Sequence, residues 1–168
     1  MFDPFCDPTP SEWTGTDFTS SVINSADILN PAATGTSSAW LSPVPPLLGE
    51  IFGVIHYGTT LQADLTTLQF ADNTIYTLSF THFRRDDLPG DAVSAEIWAV
   101  GGASALATNT FAAVTATDIF VTRSVSFTTN GGTEVGQNIQ LRLIDPNGGN
   151  NLVQAGIDNI TLDATAIP

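Results

Sequence analysis

Between residues 73 and 85 the chain alternates apolar and hydroxyl-bearing side chains: Tyr76, Leu78 and Phe80 fall on one side, Thr77, Ser79 and Thr81 on the other. A period of two is that of a strand with one buried face, and it does not fit the helical repeat. The pattern recurs downstream. Residues 92–100 turn Ala95, Ile97 and Ala99 inward and leave Glu96 and Trp98 outward. Residues 120–128 bury Val121, Val125 and Phe127 and show Thr122, Ser124 and Ser126. Residues 138–144 bury Ile139, Leu141 and Leu143 and show Gln140 and Arg142. Segments 51–57, 59–65 (Leu61, Ala63 and Leu65 on one side), 105–114 and 153–164 complete the predicted strands.

Turn chemistry separates them: Leu88-Pro89-Gly90-Asp91, Gly101-Gly102, Asn130-Gly131-Gly132, and the run from Asp145-Pro146-Asn147 to Asn150. Gly, Pro, Asn and Asp in such clusters reverse a chain and stop a helix. Short strands at this spacing, with no helical stretch between them, predict an all-β antiparallel sandwich of about eight strands. The 168 residues suit one domain spanning 1–168. Residues 1–50 hold seven of the ten prolines and read as irregular, with two or three short strands such as one near 20–23.

The charge balance excludes several partners. Seventeen acidic residues face four arginines (Arg84, Arg85, Arg123, Arg142) and no lysine, a formal net charge of −13. That field repels phosphate backbones and anionic headgroups, so neither nucleic acid nor a membrane surface is expected as partner. No apolar run reaches the length of a membrane span, so no membrane insertion is expected. Only 12% of residues are charged, and a neutral, hydroxyl-rich surface is common among extracellular β proteins. Cys6, the single cysteine, allows no intrachain disulfide. No signal-peptide pattern follows Met1, because Asp3, Pro4 and Asp7 come at once, so export would depend on segments outside this sequence.

Catalytic signatures are missing from the pattern. Glu is confined to Glu12, Glu50, Glu96 and Glu134, and Asp falls mostly in turns. His56 and His82 sit in strand patterns without metal-ligand spacing, and no serine has a nucleophile-elbow context. The expectation is a chain that is not an enzyme. Sugar rings stack on Trp while their hydroxyls pair with amides, carboxylates and Arg. The outward residues Glu96, Trp98, Gln140 and Arg142, with the hydroxyl row Thr77, Ser79 and Thr81, are therefore candidate ligand contacts. Trp98 has a second reading as part of a small core under an N-terminal loop. The run Arg84-Arg85-Asp86-Asp87 forms either a binding rim, with Arg84 and Arg85 reaching a sugar acid, or a self-neutralised strand end. The sequon Asn159-Ile160-Thr161 falls inside a predicted strand and is read as a chance match.

Two segments carry a family resemblance: Asn73-Thr74-Ile75-Tyr76-Thr77-Leu78-Ser79-Phe80 followed by Arg84-Arg85, and Gly156-Ile157-Asp158-Asn159-Ile160-Thr161-Leu162 near the end. In order and spacing they resemble the galactose-binding-like jelly rolls of carbohydrate-binding modules and bacterial secreted surface proteins. The resemblance implies a jelly-roll sandwich with a structural Ca²⁺ near the last strand, to which Asp158 would contribute. Phe2-Asp3-Pro4-Phe5 stands where the family carries an N-x-x-F-E element with a second acidic ligand. The final Asp163-Ala164-Thr165-Ala166-Ile167-Pro168 resembles the approach to a Pro-Glu-Pro sorting tail, which implies a bacterial cell-surface or extracellular location.

The resulting expectation is a noncatalytic extracellular module that binds a polysaccharide or other glycan. The other reading is a structural, adhesive or filament-forming subunit of the cell surface that self-associates through exposed strand edges or an N-terminal segment docked on a neighbouring copy.

Overall fold

A computed structural model describes residues 13–15, 40–41, 51–55, 60–84, 89–116, 119–147 and 153–168. Its strands, in chain order, are β1 (Trp13–Gly15), β2 (Trp40–Leu41), β3 (Ile51–Ile55), β4 (Thr60–Gln69), β5 (Thr74–Phe83), β6 (Val93–Ala99), β7 (Ala107–Phe111), β8 (Phe120–Thr128), β9 (Asn138–Ile144) and β10 (Ala155–Ala166). All strand pairs are antiparallel. They form two five-stranded sheets, β1-β4-β9-β6-β7 and β2-β3-β10-β5-β8. The eight strands from β3 onward match the predicted segments, and no helix occurs among the described residues. The all-β antiparallel sandwich expected from the alternation, and the jelly roll implied by the resemblance, are the observed fold.

The inward residues of each strand make the core. Leu61 and Ala63, Ile97 and Ala95, and Leu141 and Leu143 from the first sheet meet Tyr76, Leu78, Phe80, Ile157 and Ile160 from the second. Phe70, in the β4–β5 connection, packs edge-on against Tyr76 (centroids 5.0 Å) and Phe127 (5.8 Å). The Tyr76 hydroxyl accepts from Ala71 N at 2.6 Å and donates to Gln69 O at 3.3 Å, which anchors that connection to the core. Aromatic pairs of this geometry add about 1 kcal/mol beyond the area they bury.

Two departures from strict alternation have local causes. The β10–β5 ladder breaks register between Asp158 and Thr161. The extra β10 residue there lets both Ile157 and Ile160 point inward, three positions apart, where a regular strand would place them on opposite faces. Arg123, which the sequence pattern leaves unassigned, shares the inward side of β8 with Val121, Val125 and Phe127. β8 is an edge strand, so the guanidinium reaches out through the seam between the sheets. Its Nη2 donates to Ala112 O at 3.3 Å, and its carbon lies 5.4 Å from the Phe111 ring centre.

Candidate functional site

Period two places alternate residues of β4, β9 and β6 on the outer face of the first sheet, and the registers align them in two rows. Gln62, Arg142 and Glu96 form one row; Asp64, Gln140 and Trp98 form the other. With strands about 4.8 Å apart and like-facing residues about 6.7 Å apart, this is a grid roughly 10 by 7 Å. Hydrogen bonds connect it. Trp98 Nε1 donates to Glu96 Oε2 at 2.6 Å, and Arg142 Nε donates to Gln140 Oε1 at 2.8 Å. Asp64 Oδ1 accepts from Gln140 Nε2 at 2.6 Å and from Gln62 Nε2 at 3.1 Å. The Arg142 guanidinium carbon lies 4.0 Å from the Trp98 ring centre, a cation–π stack across the ladder.

The two carboxylates occupy opposite corners, their backbones roughly 12 Å apart by strand geometry. Among the described residues each uses one oxygen in hydrogen bonds, Oε2 of Glu96 and Oδ1 of Asp64, which leaves the other oxygen for a bound molecule. Gln140 is buried and the other five are half-buried, so water is partly excluded and each charged contact is strengthened. A planar molecule lying diagonally on this face meets Arg142 and Gln140 in its middle, a carboxylate at either end and the Trp98 indole at its side.

Four sequence candidates, Glu96, Trp98, Gln140 and Arg142, therefore meet in one place. The rest do not join them. Thr77, Ser79 and Thr81 lie on β5 in the other sheet, on the opposite outer surface, where Thr77 and Ser126 hydroxyls bond at 2.9 Å. Arg84 follows β5 and donates to Thr115 O at 2.8 Å, away from the grid. Arg85 lies outside the described residues. Asp158 stands at the β10 bulge, with its side chain outside the description. Among the described residues no group of three or more His, Cys, Asp or Glu is placed to hold a metal ion. Gln62 and Asp64 were missed, although the alternation of 59–65 already turned them opposite Leu61 and Ala63. What the sequence lacks is the register that brings β4 beside β9.

A second polar group lies between the sheets at one end. His82, fully buried, places Nε2 2.9 Å from the carbonyl oxygen of Asp91. That contact requires a proton on Nε2, so Nδ1 is an acceptor, and among the described residues it has no partner. Burial lowers the His82 pKa from 6.5 to about 4; the bond to Asp91 opposes this and the charge of Arg123 adds to it. Asp91 is buried as well. Its Oδ1 accepts from Ala92 N at 2.7 Å and from the Asn147 amide. The Asp145 carboxylate accepts from Asn147 N at 2.8 Å, an Asx turn directly after β9.

Comparison with known proteins identifies a relationship that the motifs did not. Residues 3–163 match the family model described as HpiC1-like, HpiC1 cyclase. Among solved structures, a Stig cyclase from Fischerella sp. TAU in complex with (3Z)-3-(1-methyl-2-pyrrolidinylidene)-3H-indole is similar at a TM-score of 0.67 and 20% identity, over 95% of this chain and 88% of that one. A cyclase from the same source in complex with 4-(1H-indol-3-yl)butan-2-one is similar at 0.63 and 21%, over 95% and 88%. A CBM4 carbohydrate-binding module is similar at 0.52 and 15%, over 91% and 86%. No curated protein sequence matches.

The resemblance to carbohydrate-binding modules thus holds for the fold. The expectation of a noncatalytic glycan-binding or filament-forming module, and of a chain that is not an enzyme, is overturned by the cyclase family match over residues 3–163. The error has a physical origin. Residues that act together from separate strands leave no short motif, so the absence of nucleophile and metal signatures does not exclude an enzyme.

Proposed function

Because the chain belongs to the HpiC1-like cyclase family, we propose that it closes a ring in a small aromatic substrate held on the grid formed by β4, β9 and β6. The observation that carries this reading is the pair of half-buried carboxylates, Asp64 and Glu96, at opposite corners around the Trp98–Arg142 stack. The two Fischerella cyclases whose complexes hold indole compounds support an aromatic substrate.

Ring closure by acid–base chemistry needs a proton delivered to one end of the substrate, attack by the electron-rich end, and a proton removed afterwards. Asp64 is held through Oδ1 by two side-chain amides, so its other oxygen is aimed by a fixed carboxylate plane. Glu96 is oriented by the Trp98 N–H in the same way. In its acid form one carboxyl donates the proton, and the other accepts the one lost on rearomatisation. The ring face of Trp98 turned away from Arg142 would stabilise positive charge built up between them. Arg142, stacked on the indole and bonded to Gln140, fixes the floor and offsets the mutual repulsion of the two acids.

The test uses 4-(1H-indol-3-yl)butan-2-one in D₂O. The wild-type protein is expected to bind it and to speed deuterium entry at the carbons flanking the ketone, read by NMR. Asp64→Asn and Glu96→Gln should each lower that rate about a hundredfold with little change in affinity, whereas Trp98→Ala should mainly weaken binding. Exchange that survives both carboxylate substitutions would move the chemistry off this face.

A further inference from the structure

The β6–β7 hairpin and the β8–β9 loop enclose a cleft of about 370 Å³ that the proposed cyclisation does not use. Small-molecule sites occupy roughly 300–1,000 Å³. Ala99, Val100 and Leu106 give it an apolar wall, and Glu134 is the one charged residue in its lining.

The loop that carries Glu134 is held on several sides. Gly136 N donates to Phe70 O at 2.8 Å, Phe70 N to Gln137 O at 3.0 Å, Gln137 N to Glu134 O at 2.8 Å, and Gly131 N to Asp72 Oδ1 at 2.6 Å. The Glu134 side chain folds back over Gly132, so that a Cβ there would stand 2.1 Å from Oε2. A methyl group at Gly132 would therefore turn this flexible side chain aside. Among the described residues it has no hydrogen-bond or ion-pair partner. The described arginines are engaged elsewhere, on Thr115 O, on Ala112 O and on Gln140. A half-buried carboxylate without a counterion, beside an apolar wall, is complementary to a cation that brings its own apolar body.

We propose that this cleft binds a small organic cation, with its ammonium group on Glu134 and its apolar or aromatic body against Ala99, Val100 and Leu106. The site is separate from the catalytic grid, and its test reads binding alone.

Benzylammonium, benzyl alcohol and benzoate are titrated calorimetrically into the full chain. One benzylammonium is expected to bind per chain, at least about tenfold more tightly than the neutral or anionic analogue. Glu134→Gln should abolish that preference. Gly132→Ala, which keeps the charge but displaces it, should weaken binding by a similar factor. Asp163→Asn removes the same charge from the exposed end of β10 and should leave affinity within about twofold of wild type. Equal binding of the three compounds, no saturable binding, or an Asp163→Asn loss equal to that of Glu134→Gln would each overturn the proposal; the last would reduce it to the general field of an acidic protein. Matching thermal midpoints confirm that the variants are folded.

Discussion

His82 shows how far one buried side chain can set the response of the whole fold to acid. Its pKa is lowered to about 4 in the folded protein from 6.5 when exposed. Between those values the unfolded chain binds the proton and the folded one does not, so stability rises with pH across the window. The folded state keeps its full contribution above pH 6.5, and loses about 3 kcal/mol as the pH falls to 4. Urea unfolding at pH 7, 5.5 and 4 should show that decline, and His82→Phe should flatten it whatever it does to stability at pH 7. An unchanged slope in the variant would assign the acid sensitivity to the carboxylates. The same scale explains what was legible at the site. Glu96, Trp98, Gln140 and Arg142 announced themselves as polar residues on the outward side of apolar strands. Asp64 and Gln62 had the same parity but weaker neighbours, and nothing local marked them as one surface with β9.

At the scale of strands and their connections, alternation carried the fold because each strand buries one face, and the predicted segments from residue 51 onward agree with β3 to β10 to within a few residues. The pairing did not follow from it. β4 lies beside β9 and β5 beside β10, with paired residues 69 to 92 positions apart, and only three-dimensional packing of the inner faces selects them. For that reason the hydroxyl row of β5 was grouped with the grid although it belongs to the other sheet. Glycines mark the closest approaches between elements. At Gly90 an added Cβ would lie 2.0 Å from the carbonyl oxygen of Val114, and at Gly156 it would lie 2.4 Å from the Phe83 ring, which packs over its cross-strand neighbour. A ring can tilt, whereas a carbonyl fixed in the chain cannot move without displacing its segment. Gly156→Ala should therefore cost about 1–3 kcal/mol and Gly90→Ala more. Thermal unfolding of the two single variants checks the order, and the reverse ranking would show that the β5–β6 connection yields more easily than the core around Phe83.

Across the molecule, β10 is the interior strand of the second sheet, bonded to β3 on one side and to β5 on the other. Removing it exposes the ladder edges of both neighbours and withdraws Ile157 and Ile160 from the core. A chain ending at residue 153 should fail to fold and should collect in the insoluble fraction, while one ending at residue 166 should melt close to wild type. Long-range antiparallel pairing on this plan is slow to form, and refolding from urea is expected on the millisecond-to-second scale. The central place of β10 also gives the sandwich a direction in time. As the polypeptide leaves the ribosome, β9 follows β4 and can pair with it, but the second sheet has only its flanks until residues 155–166 emerge. Until then the facing edges of β3 and β5 have no strand between them, and any other extended peptide that reaches them first competes with residues 155–166.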